Sequence, residues 1–241
     1  MSPTAPAISE VVALREGLYR LFSACLLGAP TGWVGAAFRD PEWLAALGRL
    51  LDYPISDVSP NLLEEDGLEA LASEYAALFL VPASQTLPFE SAYVEGPQPA
   101  TRMSAVAQVA ELYRSWGLDP AAETNEVPDH AATLLRFMAL LIGVEGRLRE
   151  QKEEAGLAAV LRQQAEFLDS HILSWFPRWL DRMRQSARMP FYRVLADLLE
   201  RFLEKDRRTL GLEDHADRQL SGPQAAAVVN RPRLMKQGGA L

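Results

Sequence analysis

The sequence predicts an all-α protein: a single multi-helix domain of roughly eight to ten helices followed by a flexible C-terminal tail. Three observations carry that expectation. Apolar residues recur every three to four positions through successive segments. Start and stop signals separate those segments at short intervals. The chain has neither a sustained alternation of apolar and polar residues nor an Asn-Gly hairpin turn, and no internal repeat at solenoid periods.

The elements follow in order. Ser9 is placed to cap a first helix in which Val11, Leu14, Leu18, Phe22 and Leu26 share a stripe, until Gly28-Ala29-Pro30 ends it. Asp40-Pro41 opens a second, with the aspartate as N-cap, the proline at the first helical position and Leu44, Leu47 and Leu51 on the apolar side. Ser59-Pro60 repeats the signal for a third, carrying Leu68, Leu71, Tyr75, Leu78 and Phe79 and ending at Pro82. Met103, Val106, Val109, Tyr113 and Trp116 make the next face, closed by Gly117. A helix starting at Pro128 carries Leu134, Leu135, Phe137, Met138, Leu141 and Ile142, which marks it as central to the core. The pattern resumes from Leu157 through Val160, Leu161, Phe167, Leu168 and Ile172 and is interrupted at Pro177. Met189-Pro190 starts a last helix with Phe191, Leu195, Leu198, Leu199 and Phe202. Residues 1–212 therefore read as one helical domain, and 213–241, rich in Asp, Arg, Gln, Ala, Gly and Pro, as the tail.

A chain of 241 residues can bury a substantial core without disulfide or metal staples. Its 49% hydrophobic and 23% charged residues are ordinary for a soluble globular protein. The net charge of -8 argues against broad nucleic-acid binding, which depends on Lys and Arg neutralising phosphates, and fits a basic partner better. Cys25 is the single cysteine, so an intrachain disulfide or a Cys-based zinc site is excluded and packing is its expected role. The N-terminus lacks a basic region followed by an apolar run, and the most apolar stretch, "LLRFMALLIGV", is too short to span a bilayer and contains Arg136. Cytoplasmic location without stable membrane insertion is expected.

Motifs for cofactor and catalytic chemistry are absent: no phosphate-cradling G-x-x-x-x-G-K-[ST] or G-x-G-x-x-G, no G-x-S-x-G and no H-E-x-x-H. With His130, His171 and His215 as the only histidines, a metal cluster is not expected, and no cofactor is assigned. The acidic runs at 64–66 and 153–154 read as solvated surface. Arg207-Arg208 lies far from the N-terminus with no apolar run behind it, so it is not an export signal.

Two stretches do stand out. The segment near 81–100 contains Pro82, Pro88, Pro97 and Pro99 and reads equally as a linker or as a stiffened binding wall. In "ETNEVPDH" at 123–130, Pro128 falls at a helix start with Asp129 and His130 in the first turn. That arrangement serves either as a helix-start device or, facing a groove, as a site for a guanidinium.

Taken together, "YAALF" at 75–79, "PFESAYVEG" at 88–96, "ELYRSWGLD" at 111–119 and "EVPDHAATLLRFMALL" at 126–141 resemble the TorD/DmsD/NarJ family of maturation chaperones for molybdenum-containing redox enzymes. "FLDSHILSWFPRWL" and "PFYRVLADLLERFL" follow in the family's order, so the resemblance covers most of residues 10–210. It implies an all-helical, non-catalytic cytoplasmic protein. Its partner would be the molybdopterin-containing catalytic subunit of a redox enzyme, bound through a twin-arginine signal peptide or other N-terminal segment until the cofactor is inserted. Carried onto this chain, the binding region is Leu78, Phe79, Pro88, Phe89, Ser91, Tyr93, Pro128, Asp129 and His130. Relatives often have tryptophan where Phe89 stands.

The chemistry of these residues agrees with such a partner. Glu90, Glu126 and Asp129 can meet guanidinium groups, and Phe79, Phe89 and Tyr93 can receive an apolar run. The aromatics are expected to set affinity, and the acids selectivity and salt dependence. Two other classes stay open: a hydrolytic or nucleotide-binding enzyme using Glu126, Asp129 and His130, some relatives having been linked to weak guanine-nucleotide binding, and an adaptor for another amphipathic helix. Monomer and homodimer are both compatible with the sequence.

Overall fold

The computed structural model describes residues 7–55, 67–93, 99–117 and 127–212. The Ser59-Pro60 start, the acidic run at 64–66, Glu126 and the tail from 213 lie outside these residues, as do the side chains of Leu68 and Met103. Among the described residues there are nine α-helices: α1 (Ile8–Cys25), α2 (Gly32–Arg39), α3 (Pro41–Leu51), α4 (Leu68–Tyr75), α5 (Pro99–Ser115), α6 (Ala131–Gln151), α7 (Glu154–Phe167), α8 (Phe176–Ser186) and α9 (Pro190–Thr209). Two of them run on into π-turns, α4 over Ala76–Leu80 and α7 over Leu168–Leu173. None of these helices is long and apolar enough to cross a membrane.

Most start signals act as read. Asp40 accepts the backbone N–H groups of Glu42 and Trp43 and Pro41 occupies the first turn of α3, while α8 and α9 also begin with a proline. The first helix differs. It starts at Ile8 with Ala7 as the cap, and Glu10 reaches back to accept the Ala7 N–H at 3.0 Å, so Ser9 is helical and caps nothing. α2, with no start signal of its own in the sequence, fits between Pro30 and Pro41. At the end of α3, Asp52 turns left-handed (φ 51°), and Tyr53 donates its N–H back to the Gly48 carbonyl at 2.8 Å. A Cβ at Gly48 would stand 2.7 Å from the Tyr53 oxygen, so only glycine fits there.

α6 is the axis of the core. Leu134, Leu135, Phe137, Met138, Leu141 and Ile142 are all at most 1% exposed, as the continuous apolar pattern required. α1 lies antiparallel along it: the Ser23 hydroxyl donates to the Ala132 carbonyl at one end, and Arg15 reaches Glu145 at the other. α7 returns along α6 with Phe167 against Phe137, ring centroids 4.7 Å apart. α9 closes the opposite flank, where Phe202 meets both Tyr19 and Phe22. α2 joins through Phe38 on Phe191, and α4 through Tyr192, whose hydroxyl donates to the Leu71 carbonyl. Each fully buried ring contributes about 1.5–3 kcal/mol of transfer free energy. Cys25 lies in this core with its thiol pKa pushed up by burial, in keeping with a packing role.

The inward face of α1 follows the expected stripe at Leu18, Phe22 and Leu26 but departs from it in the first half of the helix. Leu14 is 44% exposed, Val11 is half-buried, and Val12, Arg15 and Tyr19 point inward there instead. The cause is a polar network across four helices. Arg15 donates to Asp206 of α9 (2.5 Å), Glu145 of α6 (2.9 Å) and Gln164 of α7 (2.9 Å), and the Tyr19 hydroxyl donates to Asp206 (2.7 Å). The Gln164 amide donates to Glu145 (3.0 Å), which also holds Arg149 (2.8 Å). Burial opposes the Arg15 charge, but Asp206 and then Glu145 outweigh it, leaving the guanidinium pKa above its ordinary value.

Removing Arg15 takes the cation from the buried Asp206 and leaves Glu145 to Arg149 alone, and an uncompensated buried charge is costly. Arg15→Met should therefore lose about 3–5 kcal/mol of unfolding free energy in chemical denaturation, whereas Leu14→Gln, on the outer face, should change it by less than about 0.5 kcal/mol. Equal effects would contradict the rotation of α1 described above.

Candidate functional site

The π-turn at the end of α4 sets the geometry. The turn and Pro82, which has no N–H, leave the Leu78 carbonyl without a helical donor, and it is satisfied from outside: the hydroxyls of Ser84 (2.6 Å) and Thr86 (2.5 Å) both donate to it. This pins the loop after Val81 back onto the helix end. The Thr86 carbonyl then accepts the Trp179 indole N–H of α8 at 3.0 Å, and Gln85 accepts the Tyr93 hydroxyl at 3.1 Å.

Residues 88–91 next run antiparallel to 129–131. Ala131 donates its N–H to the Pro88 carbonyl (2.8 Å), Glu90 donates to the Asp129 carbonyl (3.0 Å), and Phe89 and His130 form an antiparallel bridge with their rings edge-to-face at 5.2 Å. The Asp129 carboxylate accepts the Ser91 N–H (3.1 Å). Pro88, Phe89, Glu90 and Ser91 are thus brought together with Asp129 and His130 as one continuous wall at the N-terminus of α6.

α6 begins at Ala131, so the first-turn placement of Asp129 and His130 is corrected: Pro128 and Asp129 precede the helix, and His130 is its N-cap. Nδ1 of His130 accepts the Ala132 N–H at 3.1 Å, which requires a neutral ring with its proton on Nε2. Burial lowers the His130 pKa to about 4, consistent with that role.

The other end of the wall rests on the π-turn of α7 and on α8. His171 approaches both oxygens of Glu90 through Nδ1, at 3.1 and 3.2 Å. The Tyr93 ring stacks on Trp175 (5.0 Å), and Arg182 lies over its face at 5.0 Å. Arg178 donates to the Tyr93 carbonyl at 3.0 Å. His171, Trp175, Trp179 and Arg178 lie in the stretch "FLDSHILSWFPRWL" that the family resemblance covers, and Arg182 just beyond it, but the sequence gives none of them a place in the site. The available signal was the spacing of His171, Trp175 and Trp179, four residues apart, which aligns three rings with polar edges on one side of the helix.

Several expected contact residues have other duties. Phe79 is 3% exposed, packed on Tyr75, Trp179 and Tyr192, and Leu78 and Tyr93 are also buried, so these three belong to the core and do not offer an apolar surface. Phe89 is half-buried, and three aliphatics are exposed: Leu80 and Val81 at the end of the π-turn after α4, and Val127 just before Pro128. Glu90 and Asp129 are buried and already hydrogen-bonded within the fold, so a guanidinium could reach them only by exchanging those bonds. Among the described residues no group of three or more His, Cys, Asp and Glu is arranged to hold a metal.

Residues 39–181 match the family model described as nitrate reductase delta subunit. The chain is similar to a chaperone protein TorD of Psychrobacter sp. (strain PRwf-1), 33% identical over 149 residues, which is 61% of this chain and 64% of that relative. It is similar to a perchlorate reductase assembly chaperone protein of Dechloromonas aromatica (strain RCB), 28% identical over 197 residues, 79% of this chain and 87% of that relative. A chaperone protein TorD of Photobacterium profundum is 31% identical over 144 residues, 59% of this chain and 64% of the relative. The match to each TorD protein thus spans less than two thirds of that protein's length.

The buried His130 makes stability pH-dependent. Its folded pKa lies below the ordinary 6.5, so the unfolded chain takes up the proton first, and stability complete above pH 6.5 is lost as pH falls toward 4. The full loss is about 3 kcal/mol. His130→Asn, which keeps a cap acceptor without a titrating ring, should flatten this portion of the profile in urea titrations at pH 7.5 and 4.5. An unchanged difference between the two pH values would assign the acid sensitivity elsewhere.

Proposed function

The chain belongs to the nitrate reductase delta subunit family, the TorD/NarJ family, and from that premise we propose that it is a non-catalytic maturation chaperone for a molybdopterin-containing oxidoreductase. It binds the N-terminal segment of the catalytic subunit, a twin-arginine leader or its remnant, in the cytoplasm, and releases the subunit after cofactor insertion. The observation that carries this reading is the likeness to a reductase assembly chaperone over most of both chains.

The wall offers a physical basis for the binding step. Its backbone is fixed by the pairing of 88–91 with 129–131 before any partner arrives, which lowers the ordering cost of association. Phe89, with the exposed Leu80, Val81 and Val127, supplies apolar surface for the hydrophobic part of a leader. An enclosed aromatic anchor is worth about 2 kcal/mol or more, whereas a guanidinium reaching the buried Glu90 gains only the difference between its own bonds and the His171 bond it displaces. The apolar contact therefore dominates affinity.

Co-purification of the chaperone with the catalytic subunit of a molybdopterin oxidoreductase from the same organism tests the reading. The full-length subunit should be retained and the subunit lacking its N-terminal segment lost; equal retention would refute leader recognition. Within the wall, Phe89→Ala should weaken a synthetic leader by about 2 kcal/mol, and Glu90→Gln by less, because its gain is net of the His171 bond, measured by calorimetry. Equal losses would show that the apolar contact does not lead.

A further inference from the structure

The Glu90 carboxylate is poorly matched to the group that holds it. Both of its oxygens lie near a single donor, Nδ1 of His171, at 3.1 and 3.2 Å. A carboxylate has roughly four acceptor sites, so one N–H leaves most of that capacity unused. A guanidinium presents two parallel donors in the fork geometry that a carboxylate fits best.

The surroundings allow an exchange. The Glu90 backbone is fixed by its N–H to the Asp129 carbonyl, so only its side chain would need to adjust. The His171 backbone is fixed too, because its carbonyl accepts the Trp175 indole N–H at 2.7 Å. The imidazole lies against Phe167 at 5.0 Å, with 13% of the His171 side chain and 9% of the Glu90 side chain reaching the surface. Glu90 belongs to the wall, next in sequence to the half-buried Phe89, and His171 stands on the π-turn against which the wall rests.

We propose that His171 is a built-in placeholder for the client's arginine: it holds the Glu90 carboxylate in the empty chaperone and yields it to a guanidinium when a leader binds. This rests on the leader-binding reading given above and adds a specificity-setting residue to it. Leaders without an arginine at that position do not displace the imidazole. The placeholder therefore raises the threshold for cationic segments that cannot also seat an apolar run on Phe89.

The test uses the full chain and two fluorescent synthetic leaders, one with two adjacent arginines followed by an apolar run and one with citrulline in place of both arginines. His171→Leu, which vacates Glu90, should bind the arginine leader at least about tenfold more tightly than the parent and the citrulline leader equally well. Adding Glu90→Gln should erase the gain. His171→Arg, a permanent occupant of Glu90, should weaken the arginine leader selectively, and it carries the test if the leucine variant does not fold. A folded variant that binds the arginine leader like the parent, or one that shifts both leaders together, overturns the proposal alone. Failure of either leader to bind the parent or any variant overturns leader recognition and this proposal with it.

Discussion

A guanidinium buried among two carboxylates and an amide fixes how the main helices of this protein stand against one another. Arg15 of α1 is 6% exposed, and Glu145, Gln164 and Asp206, on three other helices, are each 2% exposed or less. Taking these groups out of water is costly, and their mutual attraction offsets the cost only when the geometry leaves no donor or acceptor unmatched. That condition makes the network selective. A one-residue rotation of α1 that would bury Leu14 takes Arg15 away from Asp206 and leaves Glu145 to Arg149 alone. Apolar burial favours collapse, and the polar network selects one collapsed arrangement. α6, held by Glu145 toward one end and by Ser23 on the Ala132 carbonyl at the other, is thereby placed with its N-terminus against the wall.

The wall follows from a second kind of accounting, that of backbone groups. A π-turn or a helix end leaves carbonyl and N–H groups without regular partners, and a buried group of that kind is costly if unpaired. Here the unmet groups of one element are satisfied by the next. Ser84 and Thr86 serve the Leu78 carbonyl, Pro88 receives the Ala131 N–H, and His130 receives the Ala132 N–H. Residues 82–93 therefore hold their shape through directed bonds to two helix ends and the Trp179 indole, with the Tyr93 ring stacked on Trp175. Both π-turns flank this segment, and each turns a side chain or carbonyl toward it that regular α-helix would direct elsewhere.

What could be read from the sequence was what local chemistry decides. Asp40-Pro41, Met189-Pro190 and the unbroken apolar face of α6 act through neighbours a few residues away, and all three stand where the periodicity put them. The inward turn of Arg15 could not be read, because its partners lie 130 to 191 residues along the chain and a charged residue inside an apolar pattern reads as surface. The same limit applied to the site. The family resemblance places 88–91 and 128–130 in one binding region, but the bonds that pair them join residues 38 or more positions apart and leave no local pattern. Phe79 and Tyr93 enter the expected site through the same resemblance, and their burial comes from Trp179 and Trp175, partners about a hundred and about eighty residues away that no local pattern reveals.

Under the proposed function, the inward position of the acids bears on how a cationic leader would be recognised. An exposed carboxylate meeting an arginine must shed water at the moment of binding, and salt screens what remains. Glu90 is already largely desolvated in the folded chain, its carboxylate held by a neighbouring ring, so that cost falls within the stability of the fold and outside the binding step. A guanidinium entering that place trades one imidazole bond for two parallel ones in a less polar medium, where each is stronger than at the surface. Burial and prior occupation of the acid thus make recognition more demanding of geometry and less sensitive to ionic strength than an open acidic patch would be. A chaperone that must tell one leader from other basic segments in the same compartment gains more from that geometric demand than from long-range attraction.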